Sequence, residues 1–417
     1  MYLLIRLTSF VLWLMLLGAC TMTNVTPQTT ARQPYPLPPP IIAGDIFHLP
    51  SGYRVEHETV IDHALRAQVI YVGETHDNPA SHRVQEDILR ALTENNPEKV
   101  ALGMEMFTPS QQPILDQWSA GELSEKDFLR GVDWYSTWRI DFALYRNLLL
   151  FCRDQGIKIL ALNAEPATRQ LLSSTAIEDL SLEDQARLPD MDFSDPHYRA
   201  MLTAFMSGHP LGHGNTSGFE RVQTLWDETM AANLADYLSR QDSTHQVMVV
   251  AGSNHIQYGF GIPRRLFRRL PVSYLLIGTT ETEESKKLNP DRMMSVAAPE
   301  HPLLPYHFLY VSDYEQLPPT GVKLGVMVTQ ETSPQTGVLI NQLVPDSAAA
   351  LHDLRSGDLL LRIDGESLTD RLDLTYALAG KQVGETVTFE LLRDDREISI
   401  EVEFTAENQQ LSDMPQP

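Results

Sequence analysis

Two glutamates, two histidines and two asparagines follow directly on short apolar runs of this sequence. VIYVG leads into Glu74-Thr75-His76-Asp77, ALGM into Glu105, ILAL into Asn163, and VMVVAG into Ser253-Asn254-His255. Carboxylates and imidazoles are the side chains that hold divalent metals and move protons. Glu74 and His76 are two apart, so in an extended segment they project to the same side. Glu105 and His255 would complete a first shell around a divalent metal ion with them. The structural alternatives are a helix entry at His76 with Asp77 or Asn78 as cap, a turn hydrogen bond for His255, and a salt bridge from Glu105 to Arg139 or Arg264.

The elements that must position these residues are strands and helices in alternation. Candidate strands are Ala67–Val72, Val100–Met104, Lys158–Leu162, Gln246–Ala251, Ser273–Ile277 and Phe308–Val311. Between them, Ser81–Glu94, Asp141–Gln155 and Phe219–Arg240 repeat apolar residues at helical spacing. Near-continuous apolar strands separated by helices predict an α/β domain over residues 45–315, with a mainly parallel sheet flanked by helices. The stretch from 165 to 240 reads as a helical insertion. In open α/β sheets ligands sit outside the carboxyl ends of the strands, where the polar residues above fall.

Composition excludes several classes. The 417 residues carry 32 Lys+Arg against 55 Asp+Glu, a formal charge of -23, which argues against a nucleic-acid partner. Two cysteines exclude a disulfide scaffold and any multi-thiolate metal or iron–sulfur site. The familiar phosphate-binding glycine loops are absent, as is the Cys-x-x-Cys-His of covalently attached haem.

Residues 1–19 place Arg6 before an apolar stretch, the order of a secretory signal peptide. Leu17-Gly18-Ala19-Cys20 resembles the bacterial lipobox, which implies lipidation at Cys20 and a protein anchored to a membrane of the cell envelope, with Thr21 pointing to the outer membrane. Residues 20–44 are rich in Thr and Pro and read as an extended tether. Cys152, inside YRNLLLFCRDQG, reads as a buried apolar residue.

The motifs GETHDN from Gly73, GMEMF from Gly103, ALNA from Ala161, LWDETMA from Leu225, and AGSNH from Ala251 with GIPRRL from Gly261 together resemble the ChaN-like family of haem-binding lipoproteins. That family falls in a superfamily with Tiki/TraB proteins and erythromycin-esterase-like enzymes. The resemblance implies haem as cofactor, uptake of haem or iron as role, a tyrosine iron ligand, and paired haems across a homodimer. Its wider superfamily implies the alternative, a metal-dependent hydrolase using Glu74, His76, Glu105 and His255. Candidate haem contacts are Tyr198, His209, His213 and Asn254. The histidines stand in Gly-, Pro- and Asn-rich sequence that equally suits a solvated loop.

Leu317-Pro318-Pro319 marks a linker over 316–320, after which the composition turns to short β-rich segments. Lys323-Leu324-Gly325-Val326 and SGDLLLRIDG from Ser356 resemble a PDZ domain of the HtrA type over residues 321–405, with 406–417 as a disordered tail. The resemblance implies that Leu324, Gly325 and Val326 receive protein C-termini or extended peptides, with Leu374 or Tyr376 lining the side-chain pocket. A PDZ fold used only for packing or dimerisation is the competing reading.

Overall fold

A computed structural model of the chain describes residues 40–208, 216–288, 303–318, 321–328 and 336–411. The expected signal peptide with Cys20, almost all of the tether, and His209 and His213 lie outside those residues.

Eight strands among the described residues form one sheet: β1 (Ile46–His48), β2 (Tyr53–Arg54), β3 (Val69–Glu74), β4 (Val100–Met104), β5 (Lys158–Ala161), β6 (Gln246–Gly252), β7 (Tyr274–Glu281) and β8 (Phe308–Ser312). Their order is β2-β1-β8-β7-β3-β6-β4-β5, parallel from β8 to β5, with β1 and β2 added antiparallel at one edge. The sheet is therefore mixed, and the expected parallel part is its body. The two edge strands are too short to leave a periodic trace in the sequence.

β3, β4 and β6 are buried at every position, the consequence of apolar side chains on both faces. Alternate residues feed two cores. Ile70, Val72, Leu102 and Met104 join the layer of helices Pro79–Asn95, Gln112–Ser119, Glu125–Gly131 and Ala143–Gln155. Val69, Tyr71 and Ala101 face Met230, Ala231 and Leu234 of helix Thr216–Leu238 and Leu266 of helix Ile262–Arg269. The last helix of the expected insertion thus also covers one face of the sheet. Helices Pro166–Ser174, Leu182–Ala186 and Pro196–Gly208 form the part that lies between β5 and that layer in sequence.

Local signals set the helix ends. Asn78 accepts the Ala80 N–H at 3.0 Å and Pro79 opens its helix, while Gly156, at φ 67°, closes helix Ala143–Gln155. Cys152 is fully buried in the core, and burial pushes its thiol up.

In the C-terminal domain β9 (Val326–Val328), β10 (Val338–Leu343), β11 (Leu359–Ile363), β12 (Glu366–Ser367), β13 (Thr386–Arg393) and β14 (Arg396–Glu403) pair antiparallel in the order β14-β13-β11-β10-β9, with β12 on β11. Helix Arg371–Ala379 seals their core through Leu374 and Leu378. The expected tail starts as a helix instead, Ala406–Leu411. Asn408 is buried and donates to the Glu403 carbonyl at 2.9 Å, and Gln409 donates to that of Lys323 at 2.9 Å.

Residues 42–417 form one unit, and the two domains meet along helix Glu125–Gly131. Arg130 donates to Asp370 at 3.1 Å and to Asp373 at 2.6 Å, and Lys126 lies 2.7 Å from Asp373. Leu317 and Leu372 pack on the core of the α/β domain beside it.

Candidate functional site

The register of the sheet builds the site. Glu74 is the last residue of β3 and pairs with Gly252, the last of β6, while the first residue after β4 is Glu105. The strand runs two residues later than the sequence suggested, so Glu74 is held by the sheet itself. His255 sits in the single helical turn Ser253–His255 that follows β6.

Glu74 is buried, and both its oxygens are occupied. One accepts from the Tyr145 hydroxyl at 2.5 Å and from His76 Nδ1 at 2.6 Å; the other accepts from Gln85 Nε2 at 2.6 Å. His82 Nδ1 lies 3.6 Å from the second oxygen, and the Nε2 of the same ring bonds the His76 carbonyl at 3.0 Å. Glu105 accepts the Gly252 N–H at 2.7 Å, and its other oxygen stands 3.4 Å from His255 Nε2. His255 Nδ1 is bound at 2.6 Å by Asp227, whose second oxygen accepts the Tyr198 hydroxyl at 2.6 Å. Gly252 joins the two halves: a Cβ on it would lie 2.9 Å from His76 Nε2 and 3.6 Å from Glu105.

Charge follows this alternation of acids and imidazoles. Burial pushes the Glu105 carboxyl up, but the His255 charge, its hydrogen bond and the charge of His76 outweigh that and hold it down at about 2. Burial likewise opposes the charged form of Glu74, and His82, His76 and Tyr145 reverse the effect and lower it. Burial would push His255 down; the Glu105 and Asp227 carboxylates raise it well above the ordinary imidazole value. His76 moves up for the corresponding reason, through Glu74 and then Glu105. Burial and the neighbouring Glu74 charge raise the Tyr145 hydroxyl, which stays a donor.

The four residues expected around a divalent metal thus come together, but as a closed acid–imidazole network. Among the described residues no group of three or more His, Cys, Asp or Glu is arranged to hold a metal ion. Three of the four carboxylate oxygens accept internal bonds, and each imidazole is bound through Nδ1 to a carboxylate. The divalent-metal expectation receives no support. Nor does Glu105 meet an arginine; Arg264 pairs with Asp195 at 2.7 Å.

Tyr198 is buried under the Arg265 guanidinium, 4.1 Å from its ring centre, and its hydroxyl is spent on Asp227. It positions that acid. Asn254 is half-buried and accepts from Gln257 at 3.2 Å. Asn163 ties β5 to β4, donating to the Glu105 carbonyl at 2.9 Å.

Two half-buried tryptophans flank the network. Trp138 stands edge-on to His76, with ring centres 5.2 Å apart at 85°, and Trp226 edge-on to His255, 6.0 Å apart at 80°. His76 keeps 18% of its side chain exposed. Aromatic rings are the side chains against which a flat apolar ligand packs. Sequence reasoning gave no site role to Tyr145, Gln85, His82, Asp227 or these tryptophans, although Trp226 and Asp227 lie in the LWDETMA motif. Ser81, His82 and Gln85 left a further signal: polar side chains at helical spacing on the buried face of one helix.

The PDZ loop is built from backbone. Leu324 is buried, and the Leu324 and Gly325 carbonyls accept from Ala349 and Val344, each at 2.9 Å. Gly325 has φ 77°, and a Cβ on it would lie 2.1 Å from that of Ser347. Val326 opens β9, the end strand of its sheet. Leu374 belongs to the domain core, and Tyr376 lies under Lys126, 6.0 Å from its ring centre.

Comparison with known proteins agrees with this division. Residues 60–266 match the family model described as haem-binding uptake, Tiki superfamily, ChaN, and residues 322–404 match the PDZ domain model. The chain carries a ChaN-type haem-binding-uptake domain followed by a PDZ domain with similarity to HtrA-type proteases. Among curated proteins it is 23% identical over 256 residues to Protein RETICULATA-RELATED 5, chloroplastic, of Arabidopsis thaliana, covering 56% of this chain and 34% of that protein. It is 26% identical over 96 residues to the periplasmic serine endoprotease DegP of Escherichia coli, covering 21% of this chain and 20% of the protease. The chain thus spans about a third or less of the length of these relatives. Of solved structures, ChaN of Campylobacter jejuni, described with cofacial haem binding, shares 17% identity over 65% of this chain and 98% of its own, with a TM-score of 0.49.

Proposed function

We propose that the protein is a lipid-anchored haem-binding protein of a bacterial cell envelope that serves haem or iron uptake, and that its PDZ domain captures protein C-termini or extended peptides. The observation that carries the reading is the match of residues 60–266 to the haem-binding-uptake family model. At the strand-end rim, Trp138 and Trp226 would pack against the flat ligand. Haem supplies the iron that is carried, and the chain supplies its surroundings. Tyr145, Gln85 and Gly252 hold Glu74 and Glu105 in place, and Asp227 and Tyr198 fix His255, so that the rim stays ordered behind the ligand. The imidazoles of His209 and His213, which follow helix Pro196–Gly208 in sequence, would hold the haem iron. A second copy of the chain would complete a paired-haem arrangement.

In the PDZ domain the Leu324 and Gly325 carbonyls are committed inward, so a terminal carboxylate would meet the N–H groups of this loop, and β9 would take up the peptide as an added strand. Anchoring through Cys20 holds an acidic protein at a membrane whose own charge repels it.

Titration of the full-length protein with haemin tests the main reading. A saturable Soret band shift is expected, reduced in the His209→Ala/His213→Ala variant, and a flat titration overturns it. Cys20→Ala is expected to move the protein from the membrane to the soluble fraction; retention in the membrane overturns the anchor.

A further inference from the structure

We infer that Arg139 receives a carboxylate of the bound porphyrin at the lip of the rim. The inference rests on the haem-binding reading above and adds to it the group that meets the ligand's charge. A porphyrin bearing two propionates approaches a protein of formal charge -23, so the long-range field opposes binding and a local cation must offset it.

Most arginines near the site are already spent. Arg265, Arg268 and Arg269 converge on the buried Glu228 at 3.2, 3.2 and 2.6 Å, and Arg264 holds Asp195. Arg139 is different. It is exposed, its guanidinium bonds only the Ser136 carbonyl at 3.3 Å, and among the described residues no carboxylate pairs with it. It directly follows Trp138, the wall that stands against His76. An arginine side chain extends far enough from that position to reach over the edge of a ring lying on Trp138.

The backbone points the same way. Arg139 has φ 67°, in the left-handed region that costs any residue with a Cβ and that turns ordinarily fill with glycine or asparagine. The turn cannot easily move, because both its flanks serve the rim: Trp134 and Tyr145 pack at 5.4 Å, and Tyr145 holds Glu74. A strained cation without a carboxylate partner, kept where glycine would fit better, supports this assignment.

Arg139→Gly separates function from folding, since it relieves the strain. The variant is expected to melt at or above the wild-type temperature while its affinity for haemin falls about tenfold, the effect of losing one charge-assisted hydrogen bond. Haemin dimethyl ester, which lacks the free carboxylates, is expected to bind both proteins alike, and Arg139→Lys is expected to recover part of the haemin affinity. If wild type shows no Soret change with haemin, the haem-binding reading fails and Arg139 goes with it. If wild type binds and Arg139→Gly binds haemin as tightly, or loses haemin and ester equally, the assignment to Arg139 is overturned.

Discussion

The strand-end rim and the PDZ loop each depend on a glycine, and they use it in opposite ways. At Gly252 the missing Cβ makes room for side chains, His76 on one side and Glu105 on the other. At Gly325 it permits a backbone conformation, and the loop then presents main chain as its working surface. The rim is thus a set of ionisable side chains satisfied against one another in a dry interior, whereas the loop's chemistry is independent of residue type outside the glycine. Side-chain sites break when a charge is removed; backbone sites break when a Cβ is added.

The largest effect expected follows from that contrast. Glu74→Ala strips the partner from Tyr145, Gln85 and His76 together, and breaking a buried charged network typically costs about 3–5 kcal/mol. Denaturant unfolding should show that loss in the transition of the α/β domain, with peptide binding by the folded PDZ domain unchanged. A change below about 1 kcal/mol would mean that water replaces Glu74 and that the rim is less dry than its burial indicates.

Acid should separate the rim from ordinary surface carboxylates. Glu105 is held down at about 2, against an unfolded value near ~4.3. A depressed carboxyl contributes stability that is present above the unfolded value and lost as pH falls through the folded one. The melting-temperature gap between wild type and Glu105→Gln should therefore be constant above pH ~5 and close as pH drops toward about 2. A gap that does not narrow on acidification would show that the two carboxyl-derived groups differ in packing rather than in charge.

Gly325→Ala should act on the other side of the comparison. Placing a Cβ at φ 77° and against Ser347 costs about 1–2 kcal/mol for the backbone alone. Binding of a fluorescein-labelled peptide ending in a free-carboxylate valine, followed by anisotropy, should be lost. The haemin titration should not change. Peptide binding that survives would put the recognition surface elsewhere in the PDZ domain.

The two regions were also unequally legible in the sequence. The sheet body could be read because β3, β4 and β6 are buried on both faces and so are written as apolar runs; β1 and β2, at three and two residues, are not. Glu74, His76, Glu105 and His255 could be found because strand ends converge whatever the details of packing. Tyr145 could not, and Asp227 was visible only as part of the LWDETMA motif without its bond to His255, since each reaches the rim from a helix whose angle to the sheet is set by tertiary packing. The metal expectation is limited at the same point: residue type shows which groups can bind a metal, while their bonds to Gln85, Gly252 and Asp227 appear only in three dimensions. The PDZ loop, made of backbone, was legible as motif down to its glycine.

The smallest effect concerns the seam between the regions. Arg130 is 40% exposed where it meets Asp370 and Asp373, so its ion pairs are screened by solvent and contribute at most about 1 kcal/mol. Burial raises the Asp373 carboxyl, but the bonds from Lys126 and Thr369 outweigh it and lower it, so the seam should be intact above pH ~4 and weaken below it. Arg130→Ala should speed amide exchange in helix Arg371–Ala379 without altering exchange in β3 or β6. About 0.5 M salt should reproduce that change in wild type, because partly exposed pairs are screened and the rim is not. Exchange in the helix that is insensitive to both would leave the packing of Leu317 and Leu372 on the α/β core as what joins the domains. Faster exchange that spreads to β3 would instead show the seam and the rim to be one cooperative unit, running through the turn that carries Trp138.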